Sequence, residues 1–172
     1  MWRMQAEALN FVGHASDRGM TGNLSGNAGL RLVFPAGEKQ VRRALSTAAG
    51  AFAGMGLSDD AKGLAEIVLA EVLNNVVEHA YAAQRPGLIE IDAWLEGAYL
   101  WMKIQDDGVP MPDGVVPKRR DQDVTGAVET LPEGGFGWSI IHELSHDLTY
   151  ERDGLRNTVT FSLDLEELEA TP

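Results

Sequence analysis

The spacing of apolar residues predicts that the ordered region opens with one strand and two helices. Residues 30–34 have strand composition and end at a proline and a glycine. From 38 to 55, apolar residues recur at helical spacing and predict the first helix. Ser58 is the predicted N-cap of a second helix that runs to about residue 83, with two aspartates in its first turn, where the helix dipole favours acids.

The second half of the chain predicts two hairpins separated by a long segment and a short helix. Residues 88–95 and 99–105 read as strands joined by a tight turn. Residues 107–137 contain many glycines and prolines and little periodicity, and segments of that length are usually either functional or disordered. A helical pattern returns over 138–146, and strands follow at 148–152 and 158–165.

This order of elements predicts an α+β fold. Helices collected on one face of a mostly antiparallel sheet would give a two-layer α/β sandwich. The length of 172 residues fits one domain, which we expect over residues 30–165. Residues 2–12 could make one short helix, and 14–29 are rich in glycine, asparagine and serine, so we expect 1–29 to form an N-terminal arm that is flexible or a loop. Residues 166–172 form an acidic tail.

Composition and charge narrow the classes of partner. The chain carries 14 basic and 26 acidic residues, a formal net charge of −12, which opposes direct binding to nucleic acid. It has no cysteine, and no apolar run approaches the ~20 residues of a membrane span. We therefore expect a cytoplasmic protein without a nucleic-acid or membrane partner.

Polar residues on the second predicted helix are the first candidates for chemistry. Glu71, Asn75 and His79 lie four residues apart and so form one stripe on a helix that is otherwise apolar nearly all round. A carboxylate and an amide in such surroundings need partners. By itself this spacing is more often structural than functional.

Two further motifs follow along the chain. Asp106-Asp107-Gly108 stands at a predicted strand end, where a carboxylate can accept a hydrogen bond from an exocyclic amine and glycine lets a flat ring approach. Glu133-Gly134-Gly135-Phe136-Gly137 precedes a predicted helix, where exposed backbone N–H groups and the helix dipole attract anions.

Together and in this order, the three motifs resemble the N, G1 and G2 boxes of the GHKL ATPase superfamily. The resemblance is closer to the anti-sigma factor serine/threonine kinases of the RsbW and SpoIIAB kind. It includes Glu71-Val72-Leu73-Asn74-Asn75, His79-Ala80-Tyr81 and Arg156-Asn157-Thr158-Val159, and it covers about residues 30–165.

The resemblance implies a site for Mg²⁺ and ATP. Asn75 would coordinate the metal ion, and Glu71 would act as the general base on the attacking hydroxyl. Asp106 would bond the adenine amino group, and residues 109–133 would form a lid from which Arg119 or Arg120 reaches the γ-phosphate. The full set of implied nucleotide contacts is Asn75, His79, Asp106, Gly108, Arg120, Gly135, Gly137 and Thr158.

The resemblance also implies a function and partners. The protein would be a serine/threonine kinase that phosphorylates a STAS-domain anti-anti-sigma antagonist and sequesters a sigma factor, and so regulates transcription. Related kinases commonly pair as homodimers, which makes a homodimer a further expectation. The alternative is a module that binds ATP only to stabilise a partner-sequestering surface, with little turnover.

Other features depart from this pattern. Gly108 is followed by Val109-Pro110 where the family often has Gly-x-Gly, and Glu78 stands where many relatives carry a basic residue. The segment 142–146 is a literal His-Glu-x-x-His, which would bind zinc if a helix presented both imidazoles on one face, with Glu166 or Glu167 as a third ligand. The plain alternative for this segment is solvent-facing histidines on an amphipathic helix. The segment also resembles a histidine-kinase phosphoacceptor box, but it follows the G2-like motif, whereas that box precedes the ATP domain. A detached ATP domain of that type is the remaining alternative for the chain.

Overall fold

Five strands and three α-helices make up the part of the chain that the computed structural model describes, residues 29–81, 87–118 and 136–166. The arm predicted before Gly29 and the tail after Glu166 lie outside these ranges. In chain order the elements are β1 Gly29–Pro35, α1 Glu38–Gly54, α2 Asp59–Asn75, β2 Leu88–Glu96, β3 Tyr99–Asp106, α3 Phe136–Leu144, β4 His146–Asp153 and β5 Arg156–Asp164.

The strands form one sheet in the order β1-β2-β3-β5-β4, and every neighbouring pair is antiparallel. The predicted α+β class and antiparallel sheet are therefore confirmed. The register places Asp106 at the end of β3 opposite Asn157 near the start of β5. This pairing brings two polar residues together at one edge of the buried layer.

The core lies between the sheet and the helices. Along β2, β3 and β5 every second side chain is buried against the helices, as expected for a sheet covered on one face. Full burial of an aliphatic or aromatic side chain contributes about 1.5–3 kcal/mol. The largest fully buried residues are Phe52, Val68, Leu69, Leu73, Ile89, Ile91, Leu100, Met102, Ile104, Ile141, Phe161 and Leu163.

The other face of the sheet is largely polar. Arg31 and Arg156 both pair with Glu90, at 3.1 and 2.9 Å. Trp94 and Trp101 stack there with ring centroids 6.2 Å apart. Partly exposed ion pairs contribute little to stability, so the buried face dominates the energetics of the sheet.

Helix α2 begins as predicted but ends differently. Ser58 caps it, its Oγ accepting a hydrogen bond from Ala61 N at 3.2 Å. The α-helix stops at Asn75 and continues as a π-helical turn, Val76–Ala80, closed by a bond from Tyr81 N to Val76 O at 3.2 Å. The helical segment was predicted to run to about residue 83. Its α-helical bonding ends at Asn75, and residues 82–86 lie outside the described ranges.

Helix α3 also ends earlier than predicted, at Leu144. Ser145 Oγ donates to Ile141 O at 2.6 Å, and Asp147 takes a left-handed conformation with φ 52°. His146 consequently opens β4 instead of closing a helix. Among the described helices none is both long and apolar enough to cross a membrane.

Ser58→Ala should destabilise the protein by about 1 kcal/mol, because the N–H of Ala61 loses its side-chain acceptor. Thermal or urea unfolding would measure the change. Ser46→Ala, at an exposed position inside α1, is the matched control and should be neutral. Equal effects of the two substitutions would contradict the capping role.

Candidate functional site

A cavity of about 800 Å³ lies between α2 with its π-helical turn, the end of β3, the start of β5 and the start of α3. The structure brings five of the predicted site residues to its wall: Glu71, Asn75, His79, Asp106 and Gly137. Arg119, Arg120 and Gly135 lie outside the described residues, as does most of the predicted lid.

One end of the cavity is built on α2. Asn75 Nδ2 donates to the backbone oxygen of Glu71 at 2.8 Å, which leaves the side-chain oxygen of Asn75 as the atom able to accept or to coordinate a cation. Such an oxygen suits Mg²⁺, which is held by few protein ligands together with waters and phosphates.

Gly137, in the first turn of α3, covers the same end. A Cβ at this position would lie 2.5 Å from Glu71 Oε2 and 3.4 Å from Asn75 Nδ2, so a larger residue here would displace the carboxylate of Glu71. The N-terminus of α3, whose first N–H groups have no acceptor within the helix, therefore lies beside Glu71 and Asn75. A helix N-terminus in this position favours an anionic group in the cavity.

His79 belongs to the π-helical turn and is exposed where it lines the cavity. The change from α- to π-helical bonding after Asn75 alters the spacing, so the predicted straight stripe does not continue beyond that residue. His79 still shares the cavity wall with Glu71 and Asn75.

The other end of the cavity contains the buried carboxyl group of Asp106, whose residue is 5% exposed. Its Oδ1 accepts from Gly108 N at 2.8 Å and from Asn157 Nδ2 at 2.9 Å. Within the described residues no buried side-chain oxygen or nitrogen lacks a partner. Because both bonds go to Oδ1, Oδ2 is the oxygen left to face the cavity and accept from a ligand.

Burial raises the pKa of Asp106 above its ordinary value, and the hydrogen bonds from Asn157 and Gly108 act in the opposite direction. The negative charge of Asp107 adds to the increase, whereas Arg152 opposes it. Asp106 is thus desolvated, and the hydrogen bonds from Asn157 and Gly108 partly compensate its carboxylate for the lost hydration.

Gly108 is required by packing against the π-helical turn. A Cβ at this position would lie 2.6 Å from Ala80 Cβ and 2.7 Å from Ala80 O, and Val109 N donates to the same oxygen at 3.0 Å. We expected Gly108 to leave room for a flat ring. The structure shows a different reason for the glycine, the close approach of strand end and helix end.

Asn157, which sequence reasoning did not select, is the centre of the polar network around Asp106. It is 3% exposed and donates to Asp106 Oδ1 and to Val109 O, the latter at 3.2 Å. Its Oδ1 accepts from Tyr150 Oη at 2.7 Å and from Arg152 Nη1. The register between β3 and β5 is the signal that identifies it, and only the fold reveals that register.

Thr158 was the predicted contact on this strand, and its side chain is not brought to the cavity. Asn157 and Val159 line the cavity, and neighbouring side chains on a strand point to opposite faces. Thr158 Oγ1 instead accepts from Gln105 Nε2 at 3.2 Å. The prediction was one residue away from the position that faces the site.

The described residues of the predicted lid are hydrogen-bonded to the sheet and to α3. Met111 N donates to Tyr150 Oη at 3.1 Å, so the tyrosine links this segment to Asn157. Val109 and Pro110 line the cavity. Lys118, a second residue that was not selected from the sequence, is the one lysine or arginine among the described residues of its wall.

The zinc hypothesis for 142–146 is wrong in its geometry. His142 is on α3 and His146 on β4, so no helix presents both imidazoles on one face. His142 Nε2 makes a hydrogen bond of 2.8 Å with Pro117 O. In residues 29–81, 87–118 and 136–166 no group of three histidine or acidic side chains could hold a metal ion.

Comparisons with known proteins give matches over most of the chain. The family model described as histidine kinase-like ATPase domain matches residues 34–163. The chain is 29% identical over 142 residues to proteins named serine-protein kinase RsbW from Bacillus thuringiensis (strain Al Hakam), Bacillus cereus (strain AH820) and Bacillus anthracis (strain A0248). Each alignment covers 81% of this chain and 88% of the relative.

Gly108→Ala should destabilise the protein by about 1–3 kcal/mol, since the new methyl group overlaps the backbone of Ala80 and forces β3 away from the helix. Denaturant unfolding would measure the loss. Gly63→Ala, where an added Cβ meets nothing within 4 Å, is the control and should gain up to about 1 kcal/mol. A neutral Gly108→Ala would contradict the close approach.

Asp106→Asn should change how stability depends on pH. Because the pKa of Asp106 is raised in the folded state, the protonated carboxyl stabilises the fold below its ordinary pKa of 3.8. That contribution is lost as pH rises from 3.8 through the raised folded pKa. The asparagine does not titrate, so the variant should gain stability relative to the parent across this interval, measured by urea unfolding at a series of pH values. A variant whose stability depends on pH in the same way as that of the parent would contradict the raised pKa of Asp106.

Proposed function

This chain belongs to the family of histidine kinase-like ATPase domains, and from that premise we propose that it is an ATP-dependent serine/threonine protein kinase acting as an anti-sigma factor. The observation that carries the proposal is the arrangement of the cavity of about 800 Å³. A buried carboxylate stands at one end, and an acid–amide pair on α2 stands at the other.

ATP matches the chemistry along this cavity. A volume of about 800 Å³ is within the usual range of small-molecule sites. Asp106 Oδ2 would accept from the exocyclic amine of adenine, while the N-terminus of α3 would meet the phosphates. Lys118 supplies a positive charge in the same wall.

Asn75 is the residue proposed to hold Mg²⁺, through the oxygen left by its bond to Glu71. Bound there, the ion would neutralise charge on the phosphate oxygens. Arg120 and Gly135 remain predicted contacts of the phosphates, and His79 a predicted contact of the nucleotide.

Glu71 is proposed as the general base. Its carboxylate would accept the proton of a serine or threonine hydroxyl while that oxygen forms a bond to the γ-phosphorus. The bond between the γ-phosphorus and the β–γ bridging oxygen breaks, and ADP leaves. Positioning of the acceptor hydroxyl and electrostatic stabilisation of the transferred phosphoryl group would contribute the rest of the rate acceleration.

The proposed acceptor is a STAS-domain anti-anti-sigma protein, and a sigma factor is the proposed sequestered partner. The relatives' name, serine-protein kinase, supports a protein acceptor, and the net charge of −12 favours a partner with a basic surface. A homodimer remains a prediction. We place the activity in the cytoplasm, where ATP is available.

A second candidate function is ATP-dependent sequestration of a partner with little turnover. Glu78 favours it, because this exposed acid lines the cavity beside Asn75 where a basic residue would help to bind phosphate. Both functions need the same nucleotide site, so only phosphate transfer separates them.

Glu71→Ala should reduce transfer by about 10²–10⁴-fold while nucleotide still binds, because the variant lacks only the base. Asn75→Ala should instead weaken binding that depends on Mg²⁺. The assay incubates the protein with Mg²⁺, radiolabelled ATP and purified STAS-domain proteins from the same organism, and calorimetry measures nucleotide affinity.

Glu66→Ala, on the same helix but outside the cavity wall, is the control and should leave transfer unchanged. Full transfer by Glu71→Ala would refute its role as base. Normal ATP binding with no transfer to any STAS-domain protein would favour the sequestration function.

A further inference from the structure

The first histidine of the 142–146 motif makes a contact that neither zinc nor the proposed chemistry uses. His142 Nε2 and the backbone oxygen of Pro117 are 2.8 Å apart. A carbonyl oxygen can only accept a hydrogen bond, so Nε2 carries the proton and donates it. Pro117 and Lys118 line the cavity of about 800 Å³, whereas His142 is not part of its wall. The bond therefore joins α3, from outside the cavity, to a segment that lines it.

This hydrogen bond restrains the peptide unit that carries Lys118. The oxygen of Pro117 and the nitrogen of Lys118 belong to one planar peptide group, and the Cα atoms of both residues lie in its plane. The proline ring also fixes the φ of Pro117 and favours extended backbone at Val116. Holding the oxygen of Pro117 therefore holds the Cα of Lys118 as well.

Helix α3 gives the imidazole a rigid support. Ile141, next to His142, is fully buried in the core. In the first turn of the same helix, Gly137 lies against the carboxylate of Glu71. One packed helix thus contacts the proposed base at one end and holds the peptide unit of Lys118 at the other. Their separation is set by helical backbone, as a precise site requires.

The segment that leads to Lys118 is also held at its start. Val109 N donates to Ala80 O at 3.0 Å, and Met111 N donates to Tyr150 Oη at 3.1 Å. The bond from α3 comes six residues after the second of these contacts. With both ends of the segment attached, the backbone before Lys118 has a defined path along the cavity.

Lys118 has a charge that the surrounding residues do not use. Its side chain is exposed, and it forms no ion pair with another described residue. The described acids of the same wall are Glu71, Glu78 and Asp106. A polyanion in this cavity meets several negative charges, so a cation that no acid neutralises has a large effect on its binding. An ammonium group binds phosphate as a point charge.

We propose that His142 is a positioning residue for nucleotide binding, and that its bond to Pro117 holds Lys118 where the ammonium group meets a phosphate. The inference rests on the proposed function, and within it only on the binding of Mg–ATP in this cavity. Because the backbone of Lys118 is ordered before the nucleotide arrives, less conformational entropy is lost when the contact forms.

Calorimetric titration of the whole chain with Mg–ATP tests the role of Lys118. Lys118→Met keeps the apolar stem and removes the charge, so affinity should fall about tenfold. The dependence of affinity on salt concentration should also weaken, because one ionic contact is missing. Lys39→Met is the matched control, since it removes the same charge from an exposed position of α1 outside the cavity wall. It should bind Mg–ATP as the parent does.

Two substitutions of His142 separate its hydrogen bond from its bulk. His142→Leu removes the donor and should lower the affinity for Mg–ATP about threefold, with a weaker dependence on salt. His142→Gln keeps an N–H donor and should restore most of the affinity. The double variant His142→Leu/Lys118→Met should bind as Lys118→Met does, because His142 acts through Lys118. Urea unfolding checks that each variant is folded.

The outcomes separate this inference from the proposed function. Equal affinities of Lys118→Met and Lys39→Met overturn the inference and leave the kinase intact. A His142→Gln variant as weak as His142→Leu also overturns it, as do additive losses in the double variant. The expected affinities in a protein that transfers no phosphate support the inference and refute the kinase. A parent protein that binds no Mg–ATP overturns both.

Discussion

The hydrogen bond from Asn157 to the buried carboxyl group of Asp106 is the interaction on which the rest of the site depends. A carboxylate that is nearly out of water needs donors, and the amide supplies one while its oxygen accepts from Tyr150 and Arg152. The remaining N–H bonds of Asn157 go to backbone oxygens of the segment after β3. A buried amide with all its groups satisfied holds strand, loop and carboxylate in one arrangement, since changing any partner would leave a polar group unpaired.

That arrangement reaches the helix layer through Gly108 and Ala80. The close approach at this point fixes β3 against the π-helical turn, and Tyr81 strengthens the junction by accepting from Asp107 N at 3.1 Å and donating to Leu88 O at 3.2 Å. Glu71 and Ala80 are nine residues apart on one continuous helical segment, a span of about 13 Å at the usual rise per residue. The distance between the two ends of the cavity is therefore set by rigid backbone instead of by loops, as a precise site requires.

The sequence was sufficient for whatever depends on local pattern. Periodicity identified both long helices, the cap at Ser58 and the two hairpins, and the order of motifs identified Glu71, Asn75, Asp106 and Gly137 as neighbours. The sequence was insufficient where contacts between distant parts of the chain determine the local structure. At the π-helical turn, Ala80 and Tyr81 contact residues far along the chain, and a local pattern does not show such contacts. Asn157 was missed and Thr158 chosen because the face on which a strand residue lies depends on register, and a shift of one position exchanges the two faces.

The choice of an amide at position 75 is explained by the charge around it. The chain has a net charge of −12, and Glu71 and Glu78 are both in the wall of the cavity that is proposed to take a polyanion. A third carboxylate here would attract a free cation but would add to the repulsion of the phosphates. The neutral oxygen of Asn75 adds no charge, and the described residues provide no group of acids able to hold a metal ion without help. The proposed function thus has metal and nucleotide bind together, with the phosphates as further ligands of the ion, while the N-terminus of α3 and Lys118 would offset the acidic surroundings.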